Sequence, residues 1–399
     1  MPSSALRLAL LVLVAALVGL GLTMIASTTV LGTAVGHSDG SVTYAYLLRQ
    51  LAAIGVGVVA AGLLSVAGTT WLQRPWTAWL LAGAAAASVF AVLLFGRTIN
   101  GAKRWLDFGP INVQPAEFAK LALVLSLACL LANAGERIRT LRWGLLQPLL
   151  IFAVLAGLVY LTKDLGSVIV MALTVLALLV CAGAPWPRLA LIALSALPLL
   201  LYFTVWEVAY RRERFFAFLD PWQAAGPAAY HLQQSFIAIS SGGISGVGLG
   251  QGSAALAFLP ERHTDFIYAV ICEELGMIGG LGVALLFLAL IALGLTIAYR
   301  APDLHRRLLA TGATAVLGTQ AFWNMLVVVG AAPTKGLTLP FVSYGGSSII
   351  VCLMLIGILD ACARAEAGLP AARRGETRII GATTALRARR EAPAWAEAA

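Results

Sequence analysis

Charged side chains are scarce in this sequence. Asp, Glu, Lys and Arg make up 11% of the 399 residues, hydrophobic residues make up 60%, and the mean hydropathy is +0.90. In soluble domains, about a quarter of the residues are charged. The composition therefore excludes a soluble globular protein and predicts an integral membrane protein.

Cysteine and histidine are also scarce, which limits the metal and redox chemistry that we expect. The five cysteines lie in or at the edges of apolar runs, so we predict neither a disulfide nor a thiolate metal site. The four histidines, at positions 37, 231, 263 and 305, are not spaced as metal ligands, and no zinc site is predicted. The net charge of +9 does not indicate nucleic acid binding, because the basic residues are scattered through short loops and the tail.

Long apolar runs are abundant, and they predict an all-α polytopic membrane protein. A helix needs about 20 apolar residues to cross the hydrocarbon core. By this rule we predict about ten transmembrane helices, at 8–35, 45–67, 76–95, 115–134, 145–161, 166–183, 188–209, 266–298, 307–330 and 345–363. The first run is too long for the apolar part of a secretory signal. A tight turn is predicted at Thr162-Lys163-Asp164, and one long extracytoplasmic loop, 210–265, separates helices seven and eight.

The distribution of Lys and Arg predicts the orientation. Most of these residues fall on the side that holds both chain ends, and cytoplasmic loops are the ones enriched in them. Both termini are therefore expected in the cytoplasm, with residues 1–364 forming one membrane domain and 365–399 a mostly disordered tail. The outer cations are unusually many and cluster within 97–104 and 211–262. An anionic ligand outside the membrane would explain them, and binding of lipid headgroups explains any single one equally well.

The first candidate site follows the third predicted helix. Pro115 suits the first turn of a helix and Glu117 suits its positive end. Glu117 and Lys120 are three residues apart, so they share a face and can pair. A capped helix with one neutralising ion pair is the structural alternative, but ionisable pairs inside a membrane usually mark functional sites. The adjacent Lys163 and Asp164 give a weaker signal.

Glycines crowd the end of the long loop, from Gly242 to Gly252. No strand precedes them and no βαβ unit fits, so a dinucleotide-binding loop is excluded. Glycine here favours sharp turns or close approach of the backbone to a ligand. Because a structureless loop of this length is unusual, we predict that part of 210–265 forms short interfacial helix.

Asp265 closes the polar stretch from Phe258 to Phe266, where the next apolar run begins. Its position is explained equally well by an N-cap of the eighth helix and by a reactive carboxylate at the membrane surface. Glu273 and Glu274 lie roughly 12 Å deeper along the helix, and we predict structural or cavity-lining roles for them. Residues 332–348 combine two prolines and three glycines with small hydroxyl residues. This pattern predicts irregular backbone that lines a polar cavity opening outward.

Taken together, these stretches resemble the SEDS family of membrane proteins (shape, elongation, division, sporulation). The match runs in order from about residue 97 to 350, and Leu259-Pro-Glu-Arg-His-Thr-Asp265-Phe is its most specific piece. The other pieces are Gly101-Ala-Lys-Arg-Trp105, Gln114-Pro-Ala-Glu117-Phe-Ala-Lys120, Asp164-Leu-Gly, Tyr210-Arg-Arg-Glu-Arg214, Gly242 to Gly252 and Leu337 to Ser347. Ala116 and Lys163 depart from the usual motifs without loss of a charged group. Phe218 to Trp222 is more similar to the division member than to the elongation member.

The resemblance implies a peptidoglycan glycosyltransferase that polymerises lipid II at the outer face of the cytoplasmic (inner) membrane during septal cell-wall synthesis. It implies that Asp265 acts as the general base and that undecaprenyl diphosphate is released. The implied partners are lipid II, a class B penicillin-binding protein transpeptidase (FtsI-like), other division proteins and membrane lipids. The candidate substrate-binding residues are Lys103, Arg104, Trp105, Glu117, Lys120, Asp164, Arg211, Arg212, Arg214, His263 and Ser343.

Other functions fit part of the pattern. A lipid II flippase would use the same cavity and cations, but it needs access from both faces, and the polar residues concentrate on the outer half. An elongation-type paralogue would carry out the same chemistry. A purely structural scaffold would leave Asp265 unexplained. The sequence requires no cofactor, although a divalent cation, Mg or Mn, would assist departure of the diphosphate.

Overall fold

The computed structural model describes residues 2–31, 40–99, 101–107, 109, 112–201, 209–224, 226–252 and 262–367. These residues form helices α1 to α13 and strands β1 to β3. In chain order the elements are α1 Ser3–Ala26, α2 Gly40–Ala67, α3 Pro75–Phe95, β1 Arg97–Ile99, β2 Ala102–Asp107, β3 Asn112–Val113, α4 Pro115–Ala134, α5 Gln147–Leu161, α6 Leu165–Cys181, α7 Trp186–Leu201, α8 Ala209–Leu219, α9 Pro227–Gly242, α10 Ile267–Glu274, α11 Gly276–Arg300, α12 Leu304–Val328 and α13 Gly346–Ala367.

Most of the predicted transmembrane helices are present. Within the described residues, the helical stretches long and apolar enough to cross a membrane are Ser3–Thr29, Tyr44–Ala67, Pro75–Phe95, Pro115–Ala134, Gly144–Leu161, Gly276–Arg300 and Gly346–Ala365. They confirm a mostly helical, multi-pass membrane protein. Helices α6, α7 and α12 coincide with the other three predicted spans, so the total of ten and the orientation stay predictions. Residues 202–208 of the seventh predicted span lie outside the described ranges.

The eighth predicted span, 266–298, is wrong as a single helix. Helix α10 ends at Glu274, and α11 starts anew at Gly276, whose φ of +68° ends the first helix. Left-handed backbone of this kind favours glycine, which has no Cβ to clash. The apolar run continues through the break, so hydropathy alone does not reveal it.

The glycine-rich end of the long loop supplies the hydrogen bonds that this break leaves open. The N–H of Gly248 donates to the carbonyl of Glu274 at 3.0 Å, and the N–H of Met277 donates to the carbonyl of Gly243 at 2.9 Å. A Cβ on Gly246 would lie only 2.2 Å from the Glu274 carbonyl oxygen. Backbone groups at helix ends need such partners within a membrane. The glycines therefore allow close approach, as predicted, but to a helix end rather than to a ligand.

Helices α4 and α13 form the centre of the bundle. In each, 83% of the apolar stretch is buried, against 17% for α2. Helix α13 packs against α1, α2, α4, α11 and α12. The outer helices instead expose large apolar side chains such as Leu63 and Val66, as lipid-facing surfaces do. The two central helices are thus well packed, and they provide firm support for the loops and strands at their ends.

A small antiparallel sheet, in the order β1-β2-β3, was not predicted from the sequence. Lys103 lies opposite Thr98, and Leu106 lies opposite Val113. The turn between β1 and β2 contains Gly101 with a φ of +73°. Strand β2 contacts both α3 and α4. The sheet therefore fixes Lys103, Arg104 and Trp105 at the start of α4.

The long loop and the C-terminal tail were also predicted from the sequence. Helices α8 and α9 occupy part of the 210–265 loop, as its length predicted. Helix α13 continues to Ala367, and the remainder of the predicted tail, 368–399, lies outside the described residues. Residues 253–261, including the start of the specific motif around Asp265, also lie outside them.

Candidate functional site

Asp265 lies in a turn, residues 262–266, that leads into α10. The helix begins at Ile267, and its N-cap position is occupied by Phe266, whose side chain makes no capping hydrogen bond. Asp265 therefore precedes the N-cap position by one residue. What holds the turn in place comes from elsewhere in the chain.

Two of the turn's carbonyl groups bind the irregular segment 329–345, which joins α12 to α13. The N–H of Tyr344 donates to the carbonyl of His263 at 2.8 Å. The Ser343 hydroxyl donates to the carbonyl of Thr264 at 2.5 Å and accepts from the N–H of Leu339 at 2.8 Å. Ser343 therefore bridges the two segments, and its predicted contact with substrate stays a prediction.

The third carbonyl, that of Asp265 itself, binds a side chain from α12. The Asn324 amide donates to this carbonyl at 2.8 Å and to the Leu337 carbonyl at 2.6 Å. Asn324 is only 2% exposed, and its Oδ1 is buried without a hydrogen-bond partner. One amide thus joins the turn, the 329–345 segment and a membrane helix.

The Asp265 carboxylate faces Gly336 and the guanidinium of Arg104. A Cβ placed on Gly336 would lie 2.9 Å from Asp265 Oδ2 and 3.9 Å from Arg104 Nη1. The structure therefore brings together two predicted residues, Asp265 and Arg104, against a glycine that leaves room for them.

Arg104 is anchored by the predicted tight turn between α5 and α6, which the structure confirms. Its Nη2 donates to the carbonyl of Lys163 at 2.6 Å, while its Nε is buried and has no partner. Lys163 adopts a φ of +63° and its Nζ donates to the Gly101 carbonyl at 2.8 Å. The neighbouring Lys103 is exposed and donates to the Leu93 carbonyl at 3.2 Å. The sheet and the turn thus aim Arg104 at the site and Lys103 away from it.

The predicted pair of Glu117 and Lys120 is present and enclosed by protein. Lys120 Nζ lies 2.8 Å from Glu117 Oε1, and the two residues are 0% and 4% exposed, respectively. Lys120 also donates to the Gln320 Oε1 at 2.6 Å, and the Gln320 amide donates to the Thr338 carbonyl at 3.0 Å. The pair is therefore linked to the 329–345 segment, and its predicted substrate contact stays a prediction.

Asp164 is the N-cap residue of α6. Its carboxylate accepts from the N–H of Ser167 at 3.1 Å and from the Gln114 amide at 3.2 Å. The N–H of Gln114 in turn donates to the Ser347 hydroxyl at 2.9 Å. This geometry ties the start of α6 to the starts of α4 and α13, which is a structural role. The predicted part of Asp164 in substrate binding is left as a prediction.

The other predicted cations are distributed around the site. Arg214 is half-buried, and its Nη1 lies 3.3 Å from the carbonyl of Thr334. Arg212 is exposed on α8. Arg211 belongs to the same helix, and its side chain lies outside the described part of the structure. Trp105 is half-buried in β2, opposite Arg97. Of these residues, Arg214 alone has a contact with the 329–345 segment in the described geometry.

An aromatic cluster adjoins the turn. The rings of Tyr46, His263 and Tyr344 lie 5.2 to 5.9 Å apart, centroid to centroid. Burial raises the pKa of the Tyr344 phenol, and Arg49 partly opposes that shift. Burial also lowers the pKa of the Arg262 guanidinium. The turn that contains Asp265 therefore carries a partly desolvated cation, Arg262, next to a cluster of three rings.

His, Cys, Asp and Glu side chains are the possible metal ligands among the described residues. Within them, no three His, Cys, Asp or Glu side chains are grouped as a metal site. The five cysteine thiols are free. The divalent cation that would assist departure of the diphosphate stays a prediction.

Sequence reasoning missed the amides of α12 and the glycine beside Asp265. Gln320 and Asn324 stand four residues apart in an apolar run, a spacing that places both on one helix face. Amides buried inside a membrane helix were the available signal. Gly336 gave no signal, because its contact with Asp265 arises only from the tertiary fold.

The fold and this group of residues define a polytopic membrane protein with a carboxylate and cation site where irregular backbone meets the ends of its helices. The comparison with known families then identifies the lineage. The family described as Cell cycle protein (FtsW/RodA/SpoVE) matches residues 8–367. The chain belongs to this family, the SEDS family that its motifs resemble.

Individual relatives agree with this membership. A probable peptidoglycan glycosyltransferase FtsW from Tolumonas auensis is 39% identical over 353 residues, covering 88% of this chain and 90% of that protein. A protein of the same name from Geobacter metallireducens is 43% identical over 265 residues, covering 66% of this chain and 70% of that protein.

Solved structures share the fold. One chain, from work on the structural coordination of polymerization and crosslinking by a peptidoglycan synthase complex, superposes with a TM-score of 0.74 at 34% identity. It covers 90% of this chain and 98% of its own length. The rod shape determining protein RodA of Thermus thermophilus gives a TM-score of 0.65 at 32% identity, covering 89% and 95%.

Proposed function

We propose that this protein is a peptidoglycan glycosyltransferase that polymerises lipid II, with Asp265 as the general base. The observation that carries the proposal is the placement of the Asp265 carboxylate beside the Arg104 guanidinium, at the Gly336 wall. Membership of the family and the names of the relatives support the reaction class. The division role is supported by the same names, since both of these relatives are called FtsW.

The reaction needs one proton acceptor. A sugar hydroxyl of one lipid II attacks the anomeric carbon of another, and a new glycosidic bond forms as the bond from that carbon to the diphosphate oxygen breaks. Asp265 takes the hydroxyl proton, and undecaprenyl diphosphate leaves with the bonding electron pair. General base catalysis of this kind contributes typically about 10²–10⁴-fold to the rate.

The leaving diphosphate needs fixed positive charge. The Arg104 guanidinium approaches the same glycine, Gly336, as the Asp265 carboxylate, and the Lys163 carbonyl accepts a hydrogen bond from it. Preorganised donors stabilise charge that develops in the transition state, because they need no reorganisation at that moment. Arg214 extends the positive charge along the 329–345 segment. A divalent cation, Mg or Mn, would add positive charge at the diphosphate when bound, and no residue of the chain is assigned to it.

The remaining features belong to the same proposal. The active site faces the extracytoplasmic side of the cytoplasmic membrane, which is the side that the distribution of Lys and Arg predicts for Asp265. The partner that cross-links the product is a class B penicillin-binding protein transpeptidase. A structural neighbour that comes from a peptidoglycan synthase complex supports such a partnership.

The test is polymerisation of lipid II by the purified protein together with its transpeptidase partner. We expect glycan polymer from the wild-type complex and none from Asp265→Ala. Asp107→Asn is the matched control, because Asp107 is an aspartate of the small sheet whose carboxylate lies 3.3 Å from the Arg97 guanidinium. The control should polymerise normally. A wild-type complex that moves lipid II across liposomes without polymerising it would favour the flippase instead.

A further inference from the structure

We infer that Asn324 is a positioning residue for the reaction. It fixes the position of the Asp265 backbone relative to Gly336, the glycine that the Asp265 carboxylate approaches. This inference rests on the proposed function of Asp265. The first observation is the pair of bonds from one amide, to the carbonyl of Asp265 at 2.8 Å and to that of Leu337 at 2.6 Å. Leu337 follows Gly336 directly. The same amide therefore fixes both the carboxylate residue and the residue next to its wall.

The second observation is where the amide comes from. The carbonyls of His263 and Thr264 are bound from the 329–345 segment, whereas that of Asp265 is bound from α12. Helix α12 packs against α4, α6, α11 and α13. The hydrogen bond from Asn324 therefore fixes the position of the 262–266 turn relative to the helix bundle. The bonds to the 329–345 segment, by contrast, allow turn and segment to move together.

The third observation is the unfavourable setting of Asn324. Its Oδ1 is buried without a hydrogen-bond partner, within a membrane helix. An unpaired buried acceptor is destabilising. A residue that serves folding alone would not need this geometry. Residues that violate local stability rules concentrate at functional sites.

One turn earlier on the same face, Gln320 repeats the arrangement. Its amide donates to the Thr338 carbonyl at 3.0 Å, and its Oε1 accepts from Lys120. In contrast to Asn324, both ends of this amide are satisfied. The amides of Gln320 and Asn324 thus donate to two successive carbonyls, those of Thr338 and Leu337, and attach the 329–345 segment to α12. Through Gln320, the buried Glu117 and Lys120 pair is connected to the segment.

The test compares pH–rate profiles of lipid II polymerisation for wild-type and Asn324→Asp complexes. The variant removes both donated bonds and adds a carboxyl group, whose negative charge would disfavour ionisation of Asp265. We expect the acidic limb to move up by about one pH unit. The other charged or titratable groups on the adjoining segments, namely Arg104, Arg214, Arg262, His263 and Lys335, are common to both complexes. An acidic limb that stays in place would overturn the inference.

Asn133→Asp is the matched control. The Asn133 amide donates to the carbonyls of Gln73 and Cys129 at 3.1 and 2.8 Å, at the far end of α4 from Glu117. Its profile should coincide with that of the wild type. If Asn324→Asp fails to fold, Asn324→Ala decides the matter: we expect kcat to fall about tenfold to a hundredfold at unchanged KM, and a normal kcat would contradict the inference. A wild-type complex that makes no polymer would instead refute the proposed function.

Discussion

Asp360 and Asp265 lie near opposite ends of α13, and the side chains around these two carboxylates differ in how completely they are hydrogen-bonded. Near its C-terminal end, Asp360 accepts from Arg7 Nε at 2.7 Å, from Arg364 Nε at 2.8 Å and from the Ser65 hydroxyl. None of these donor side chains retains a buried polar atom without a partner. This carboxylate joins α1, α2 and α13, and its cations are already engaged.

The segments around Asp265, near the N-terminal end of the same helix, differ. Buried polar atoms without partners occur there on Arg104, Arg262, Asn324 and Thr334, and near the other end of α13 they occur on His305 and Arg307, which do not bind Asp360. Buried polar groups in native proteins are almost always paired, so each exception needs an explanation, and beside Asp265 we propose a functional site. The comparison teaches that the buried Asp360 carboxylate, whose donors are fully paired, has the surroundings of a stabilising group, whereas the half-buried Asp265 has incompletely paired neighbours such as Arg104, as expected of a group that binds a ligand.

The largest effect that bears on this comparison is expected from Arg104→Ala. The variant removes the cation beside Asp265 and should lower the rate of lipid II polymerisation by about 10²–10³-fold, as loss of one preorganised donor does. The rate is measured with purified complex, and membrane insertion is checked by the yield of folded protein. Lys103→Ala is the control, because Lys103 is exposed and directed at the Leu93 carbonyl. Equal rates for both variants would place Arg104 among headgroup-binding cations.

Gly336→Ala tests the wall of the site by sterics alone. The new methyl would lie 2.9 Å from Asp265 Oδ2, which is too close, so the carboxylate must move. A displacement of about 1 Å from the reactive geometry costs about 10²-fold in rate. Gly345→Ala is the matched control in the same segment, because its methyl would meet Ser348 Cβ at 3.4 Å, an ordinary contact. Normal polymerisation by Gly336→Ala would show that Asp265 does not react from this position.

Asp360→Asn should affect stability and leave the chemistry nearly intact. The change weakens the bonds to Arg7 and Arg364 and should lower the free energy of unfolding by about 1–3 kcal/mol, the usual loss for hydrogen bonds to a charged group. Thermal melting of the purified protein measures this loss. The polymerisation rate per folded molecule should change less than about twofold, given that the substituted side chain lies far from Asp265. A large fall in that rate would break the comparison between the two ends.

The smallest effect is expected from Arg212→Ala. Arg212 is exposed, so it can attract an anionic substrate only through a charge screened by salt. We expect KM for lipid II to rise a few-fold at low ionic strength, with kcat unchanged and the difference lost at high salt. A fall in kcat that persists at high salt would place Arg212 within the reacting group.

Local sequence signals predicted the helices well and the contacts of the site poorly. Helix α4 has the predicted bounds, because an apolar run follows Pro115 at a position that suits proline. The break at Gly276 was missed, since apolar residues continue through it and the bonds that stabilise it come from the distant glycine-rich loop. The small sheet was missed for a similar reason, because its short strands depend on packing against α3 and α4.

The candidate site divides in the same way. Asp265 and Arg104 stood out as charges at a membrane surface, and their motifs resemble one family. That they meet at Gly336 follows only from the fold, because the three residues belong to separate segments. The Asn324 bonds could not be predicted either, since a polar residue in an apolar run does not specify its partner.

The central claim, that the Asp265 carboxylate accepts the proton, is tested most directly by Asp265→Asn. Asparagine is nearly isosteric and caps helices about as well as aspartate, but it cannot take up a proton as a carboxylate does. We measure lipid II binding and single-turnover polymerisation by the variant in complex with its transpeptidase partner. The account predicts normal folding, partner binding and lipid II binding, with no polymer formed. An Asp265→Asn complex that polymerises at the wild-type rate would contradict it.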